Sequence, residues 1–186
     1  WIGLVGSEMC IRDRPHIIRS SRFSVAILDG NEKEEDLQKL SNDIFMYYGL
    51  GCRSVSKIYL PKDYDLDILF KQVYSWKDIM NNSSYYNNYT YNKTIYLMSE
   101  EKFFDNGFLI LKESTEIGSP IGAVFFEYYE NDNTVIKSLK KYSEKIQCIV
   151  GKNIVENSIE FGNTQRPSLD DFADKINTLD FLLKLS

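Results

Sequence analysis

Phe23-Ser24-Val25-Ala26-Ile27-Leu28-Asp29-Gly30-Asn31 opens the stretch that decides the fold, and Ile58-Tyr59-Leu60-Pro61 closes it. Phe23–Leu28 is apolar and β-prone, which predicts a buried strand. Asp29-Gly30-Asn31 supplies a turn. Asn31 can cap a helix, with Glu34 three residues on completing a capping box. Leu37, Leu40, Ile44, Phe45 and Tyr48 then recur at helical spacing and give one buried face. Gly49 and Gly51 are expected to end that helix. Val55–Leu60 reads as a second strand, closed by Pro61. Strand, helix and strand in direct succession form a βαβ unit, and such units build parallel sheets.

Outward from this unit the pattern continues. Leu66, Leu69, Phe70, Val73 and Trp76 predict another amphipathic helix. Asn81–Asn92 reads as a low-complexity loop, whose sequons at Asn81, Asn82, Asn88 and Asn92 follow from an Asn/Tyr-rich composition. Thr94–Met98, Phe108–Leu111, Gly122–Tyr128 and Lys145–Val150 read as strands. Thr134–Tyr142 reads as a short helix capped by Asn133. Phe161-Gly162-Asn163 reads as a turn or loop. Ser168 can cap Leu169–Ala173, and Asn177–Leu185 is ambiguous, with helix favoured. The expected fold class is α/β, a mostly parallel sheet covered by helices.

The charge balance narrows the function classes. The chain has 186 residues and a net charge of −5. A mildly acidic chain without a basic cluster argues against nucleic acid as the main partner. No apolar run approaches a membrane span. Leu4–Arg14 has neither helical nor strand period and resembles a translated sequencing adapter. Residues 1–14, Cys10 among them, are therefore expected to lie outside the fold. A signal peptide is the rival reading, but no basic segment precedes the short apolar run. Residues 15–186 suit one domain. Cys52 and Cys148 are too few for a disulfide framework, so a reducing cytoplasm is the expected compartment.

Cys52 is the residue that points to chemistry. It sits between a helix and a strand, after Gly49 and Gly51. Glycines there let the backbone approach a ligand closely. Arg53 and Lys57 carry charge that favours a thiolate. The negative end of the preceding helix acts in the opposite direction. A lone cysteine is more often a buried small hydrophobe, so local physics leaves both readings open. The single histidine, His16, makes a Cys/His pair weak. No metal-ligand cluster and no phosphate-cradling glycine loop stands in the sequence.

Three motifs in order carry a resemblance. Gly49-Leu50-Gly51-Cys52-Arg53-Ser54-Val55-Ser56-Lys57 resembles the active-site cysteine motif of the aldehyde-dehydrogenase superfamily, with Gly49, Cys52 and Lys57 in the motif's places and Leu50 where glutamine is usual. Glu116-Ile117-Gly118-Ser119-Pro120-Ile121 is similar to the superfamily's Glu-Ile-Phe-Gly-Pro-Val run, with Gly118 in place of the aromatic residue and Ser119 in place of the glycine. Phe161-Gly162-Asn163 is similar to its late Phe-Gly loop near the substrate. Taken from Ile17 to Leu185, the wording looks most like LuxC-type acyl-CoA reductases.

The resemblance implies a function. Cys52 would attack a fatty acyl-CoA thioester, and NADPH would then convert the acyl-enzyme to a fatty aldehyde. Glu116 would bind the nicotinamide-side ribose. Gly51, Arg53, Phe161 and Gly162 would lie near the substrate or the oxyanion. No metal is implied. The partners would be the acyl-CoA and a second copy of the chain or an acyl-transfer protein. The dinucleotide-binding half is expected to precede this chain. In aldehyde-oxidising relatives a base glutamate stands near the place of Ile18. No carboxylate lies between Pro15 and Leu28, which suits a reductase that must not hydrolyse its acyl-enzyme. Three alternatives stay open: a CoA-independent aldehyde dehydrogenase, a catalytically silent assembly fragment, and an acyltransferase or thioesterase using Cys52 without hydride transfer.

Overall fold

A computed structural model describes residues 15–17, 19–151, 155, 158–173 and 176–185. The adapter-like segment with Cys10, the position of Ile18, and Asp174-Lys175 lie outside the described residues. The chain divides into two compact units, Arg22–Pro167 and a smaller one from the described parts of 1–21 and 168–186.

The larger unit is α/β. Its strands are β1 (Phe23–Ile27), β2 (Val55–Pro61), β3 (Phe104–Asp105), β4 (Ile110–Glu113), β5 (Ala123–Tyr129) and β6 (Ile146–Val150). They form one sheet in the order β3-β4-β5-β2-β1-β6. All pairings are parallel except β3 with β4, at the edge. The helices are α1 (Glu34–Phe45), α2 (Leu66–Val73), α3 (Ser83–Met98) and α4 (Asp132–Lys141). Side chains alternate along β1 and β2 and so feed two cores. Ala26, Leu28, Ile58 and Leu60 pack with Leu37, Leu40 and Ile44 of α1 and Leu69 and Val73 of α2. Val25, Ile27 and Tyr59 face the other way, toward Val135 and Leu139 of α4. Each fully buried Leu or Ile contributes about 1.5–3 kcal/mol.

The βαβ unit stands as the sequence indicates, but its ends differ. Asn31 does not cap α1. Asp29 and Glu32 close the turn first: the Glu32 carboxylate accepts the N–H groups of Asp29 (2.5 Å) and Gly30 (3.1 Å), and Asn31 donates its own N–H to Asp29 (2.7 Å). The helix starts at Glu34, with the Asp36 carboxylate reaching back to the Lys33 N–H at 3.1 Å. It ends at Phe45 rather than at Gly49, and a 3-10 turn, Met46–Gly49, follows. Likewise α2 stops at Val73 and continues as a 3-10 segment, Tyr74–Asn81.

The largest departure is α3. The expected loop over Asn81–Asn92 and the expected strand Thr94–Met98 are one helix of 16 residues. Asn82 caps it, accepting the Tyr85 N–H at 2.9 Å. Tyr85, Tyr89, Asn92 and Tyr96 make its buried stripe. Tyrosine and asparagine hid the period because each carries a polar tip. Those tips are satisfied inside: Tyr85 Oη donates to the Phe108 carbonyl (2.9 Å), Tyr89 Oη bonds Asp105 (2.7 Å), and Asn92 Nδ2 donates to the Ile121 carbonyl (3.0 Å). A smaller shift occurs at α4, whose cap is Asn131 rather than Asn133.

In the smaller unit Arg19 donates to the Ala173 carbonyl (3.1 Å) and to the Thr178 hydroxyl (3.0 Å). Thr178–Leu183 forms α5, capped by the Asn177 side chain. Ser168 was expected to cap a segment Leu169–Ala173; Leu169–Phe172 is turn and irregular chain.

Candidate functional site

Cys52 lies in a tight turn at the amino end of β2, closed by the Ser54 N–H donating to the Gly51 carbonyl at 2.9 Å. The fully buried Ser24 at the start of β1 donates its hydroxyl to the Cys52 carbonyl at 2.8 Å. The backbone of Cys52 is thus fixed to the sheet while its side chain is half-buried. Ligand sites of open parallel sheets usually lie at the carboxyl ends of the strands. Cys52 is at the opposite, amino end of the strands, so fold-level placement does not mark it out.

Arg53 is bonded to two segments far along the chain. Its Nη1 donates to Cys148 Sγ (3.3 Å) on β6 and to the Thr164 carbonyl (3.2 Å). Next to it, Gln165 Nε2 donates to the Ser54 hydroxyl at 3.4 Å. The turn bearing Cys52 is therefore joined to the segment Phe161–Gln165.

Asp43, on the buried face of α1, also anchors that segment. Its carboxylate accepts the N–H of Gly162 (2.6 Å), the N–H of Thr164 (3.1 Å) and the Thr164 hydroxyl (2.8 Å). Burial raises its pKa above the ordinary carboxylate value, and the three hydrogen bonds act against that rise. Phe161 is buried in the main core. Gly162 takes φ of +84°, where a side chain would be strained and would crowd Lys39.

The Glu116 loop meets the start of β2, which follows that turn. Ser56 donates its hydroxyl to the Ile117 carbonyl at 3.2 Å. Ser119, Pro120 and Ile121 share the walls of a crevice with Tyr48, Gly49 and Ser56. Glu116 itself is exposed, its N–H held by the Ser114 hydroxyl at 3.1 Å. A Cβ on Gly118 would overlap the Phe23 ring. Phe23 therefore occupies the space that an aromatic residue at position 118 would need.

Lys57 serves this loop rather than Cys52. Its side chain is wholly buried, its ammonium is 2.5 Å from Glu127 and 3.0 Å from the Ser114 carbonyl, and it lies over the Tyr59 ring. Glu127 meets its charge, so Lys57 is an anchor for the start of the Glu116 loop.

The structure thus gathers three segments far apart in sequence: Gly49–Ser56, Glu116–Ile121 and Phe161–Gln165. Sequence reasoning missed the residues that join them. Ser24, Ser56 and Cys148 gave no signal. Asp43 did give one, a carboxylate three residues after Leu40 on the buried face of a helix. Among the described residues no cluster of His, Cys, Asp and Glu can hold a metal ion. No described helix is long and apolar enough to cross a membrane. In comparison with known proteins, the chain matches no family model and no curated protein.

Proposed function

We propose that this chain is the nucleophile-bearing part of a LuxC-type acyl-CoA reductase, with an aldehyde-dehydrogenase-like fold and Cys52 as acyl acceptor. The observation that supports the reading is that the motif segments meet at the Cys52 turn and the start of the strand that follows it, through Arg53 with Thr164 and Ser56 with Ile117.

The chemistry begins with Cys52. Its thiolate attacks the thioester carbonyl and a bond forms between Sγ and the acyl carbon. The tetrahedral oxyanion needs preorganised donors, and the Cys52 N–H at the turn is the first candidate. Collapse breaks the bond to the coenzyme A sulfur, which leaves as a thiolate and takes up a proton. Arg53 positions the turn by holding Cys148 and Thr164. NADPH, when bound, supplies the hydride that releases the aldehyde. Exposed Glu116, on a loop pinned by Ser56 and Lys57, fits a ribose hydroxyl pair. The sequence has no glycine-rich cradle for the pyrophosphate, so this chain contributes the ribose contact alone. Cys52 and Cys148, neither of them in a disulfide, suit the reducing cytoplasm in which coenzyme A thioesters serve.

The test is release of coenzyme A. Mixed with excess fatty acyl-CoA, the chain is expected to liberate up to one equivalent of free thiol and then stop. Continuous release with fatty acid as product would replace the reductase reading with a thioesterase. No release above the Cys52→Ala background would remove the reading altogether.

A further inference from the structure

Helix α3 carries one charged residue, Lys93, in its 16 residues, and that ammonium is drawn to Asp105 at 2.5 Å. Beside the buried stripe of Tyr85, Tyr89, Asn92 and Tyr96 runs a second one: Ser84, Asn88, Tyr91, Ile95 and Met98, alternately four and three residues apart. That alternation is the seam along which helices pair. Nothing in the chain covers its apolar half: Tyr91 is 65% exposed, Ile95 38% and Met98 80%. Asn88 Nδ2 already donates to the Ser84 carbonyl at 2.8 Å, so covering that side chain leaves this donor satisfied.

The two ends of the stripe are complementary in shape. At the amino end Ser84 and Asn88 line a crevice of about 150 Å³ together with Tyr48, Leu50 and Ile121. Tyr48 stands in the left-handed region, with φ of 61°, a conformation that L-residues avoid and that gathers at binding sites. At the carboxyl end Met98 is a knob. Ser84 and Met98 each lie seven residues from Tyr91, about 10 Å along the helix axis. A second copy turned antiparallel about Tyr91 therefore sets Met98 against Ser84 and the crevice, and Ile95 against Asn88. Two-fold symmetry makes each contact twice, large beside small.

The charges agree with this pairing. Copies of a chain of net charge −5 repel one another, and the stripe itself holds no charge. The first turn of α3 has no acidic residue and its last turn no basic one, so the helix does not compensate its own ends. Exposed Glu100, just past the carboxyl end, comes beside the amino end of the other copy's helix, where a carboxylate is stabilising.

We infer that two copies of this chain dimerise through α3, antiparallel about Tyr91, with Met98 of each seated in the crevice beside Tyr48 of the other. The inference is independent of Cys52. One helix seam with a crevice at each end stands at the small end of specific interfaces, about 1,200 Å² in total, so the dimer is weak and reversible.

Sedimentation equilibrium of the full chain over micromolar concentrations tests it. The wild type is expected to pass reversibly from monomer to dimer. Ile95→Lys buries an unpaired ammonium in each copy and is expected to weaken the dimer at least about tenfold. Met98→Ala, which empties the crevice, is expected to weaken it about tenfold. Both side chains are exposed in the monomer, and circular dichroism with thermal unfolding verifies that each variant keeps the fold. Asn88→Glu added to Ile95→Lys sets a carboxylate opposite each new ammonium in the antiparallel register, and is expected to restore at least part of the lost affinity. A wild type that stays monomeric at every concentration, a single variant that dimerises as the wild type does, or a double variant as weak as Ile95→Lys alone overturns the inference.

Discussion

The Asp43 carboxylate receives both the backbone N–H and the hydroxyl of Thr164, at 3.1 and 2.8 Å, although the two residues are 121 positions apart. Asp43 is 1% exposed, so neither partner is replaced by water if the other is lost. Thr164 in turn presents its carbonyl to Arg53, beside Cys52. Asp43→Ala would leave two N–H groups and a hydroxyl unmet. Each unmet buried group costs about 1–3 kcal/mol, so a loss of about 3 kcal/mol is expected in urea unfolding. Asp43→Asn, which keeps one acceptor oxygen, is expected to lose less.

The same carboxyl predicts a pH dependence whose sign is opposite to that of an ordinary salt-bridged aspartate. Burial, the dominant influence, raises its folded pKa above the ordinary aspartate value of 3.8. The folded state then binds the proton more tightly than the unfolded state, and stability falls as pH rises through that interval. The Asp43 contribution is fully present below about 3.8 and is lost as pH climbs through the folded pKa. Urea midpoints of the wild type relative to Asp43→Asn, taken from pH 4 to pH 7, are expected to show the wild-type margin shrinking. A widening margin would mean that the three hydrogen bonds outweigh burial.

The pair Lys57–Glu127 is asymmetric, with side-chain exposures of 0% and 28%. Removing Glu127 strands an ammonium that water does not reach. Removing Lys57 leaves a carboxylate that water can reach. Breaking a buried pair costs about 3–5 kcal/mol, and Glu127→Ala is expected to approach that range, with Lys57→Met well below it. Equal losses in chemical denaturation would show that Lys57 matters mainly through its bond to the Ser114 carbonyl.

Gly118 and Phe23 compete for one space. Gly118→Ala is expected to cost about 1–3 kcal/mol, the usual range for overpacking. Phe23→Ala should remove most of that penalty, so the double-mutant cycle is expected to give a coupling of more than about 1 kcal/mol. Additive losses would show that the loop moves aside without resistance.

Legibility in the sequence followed the chemistry of each segment. The unit from Phe23 to Pro61 was readable because its apolar residues are purely apolar and recur at strand and helix spacing. The helix Ser83–Met98 was not, because Tyr85, Tyr89 and Asn92 bury themselves only by bonding Phe108, Asp105 and Ile121, and those partners are invisible in the local pattern. Cys52 was legible as a candidate through Gly49, Gly51 and Arg53. What Arg53 does was not: its partners Cys148 and Thr164 lie 95 and 111 residues away. Lys57 shows the same limit, since a basic residue near a cysteine in sequence is drawn instead to Glu127 on the neighbouring strand.

The central claim is that Cys52 accepts an acyl group, and peptide mapping by mass after exposure to a fatty acyl-CoA tests it most directly. The expected result is a single acyl adduct on the peptide holding Cys52, removable by hydroxylamine as a thioester should be. It should vanish in Cys52→Ala and persist in Cys148→Ala. An adduct that persists in Cys52→Ala, or one mapped to Cys148, would contradict the account.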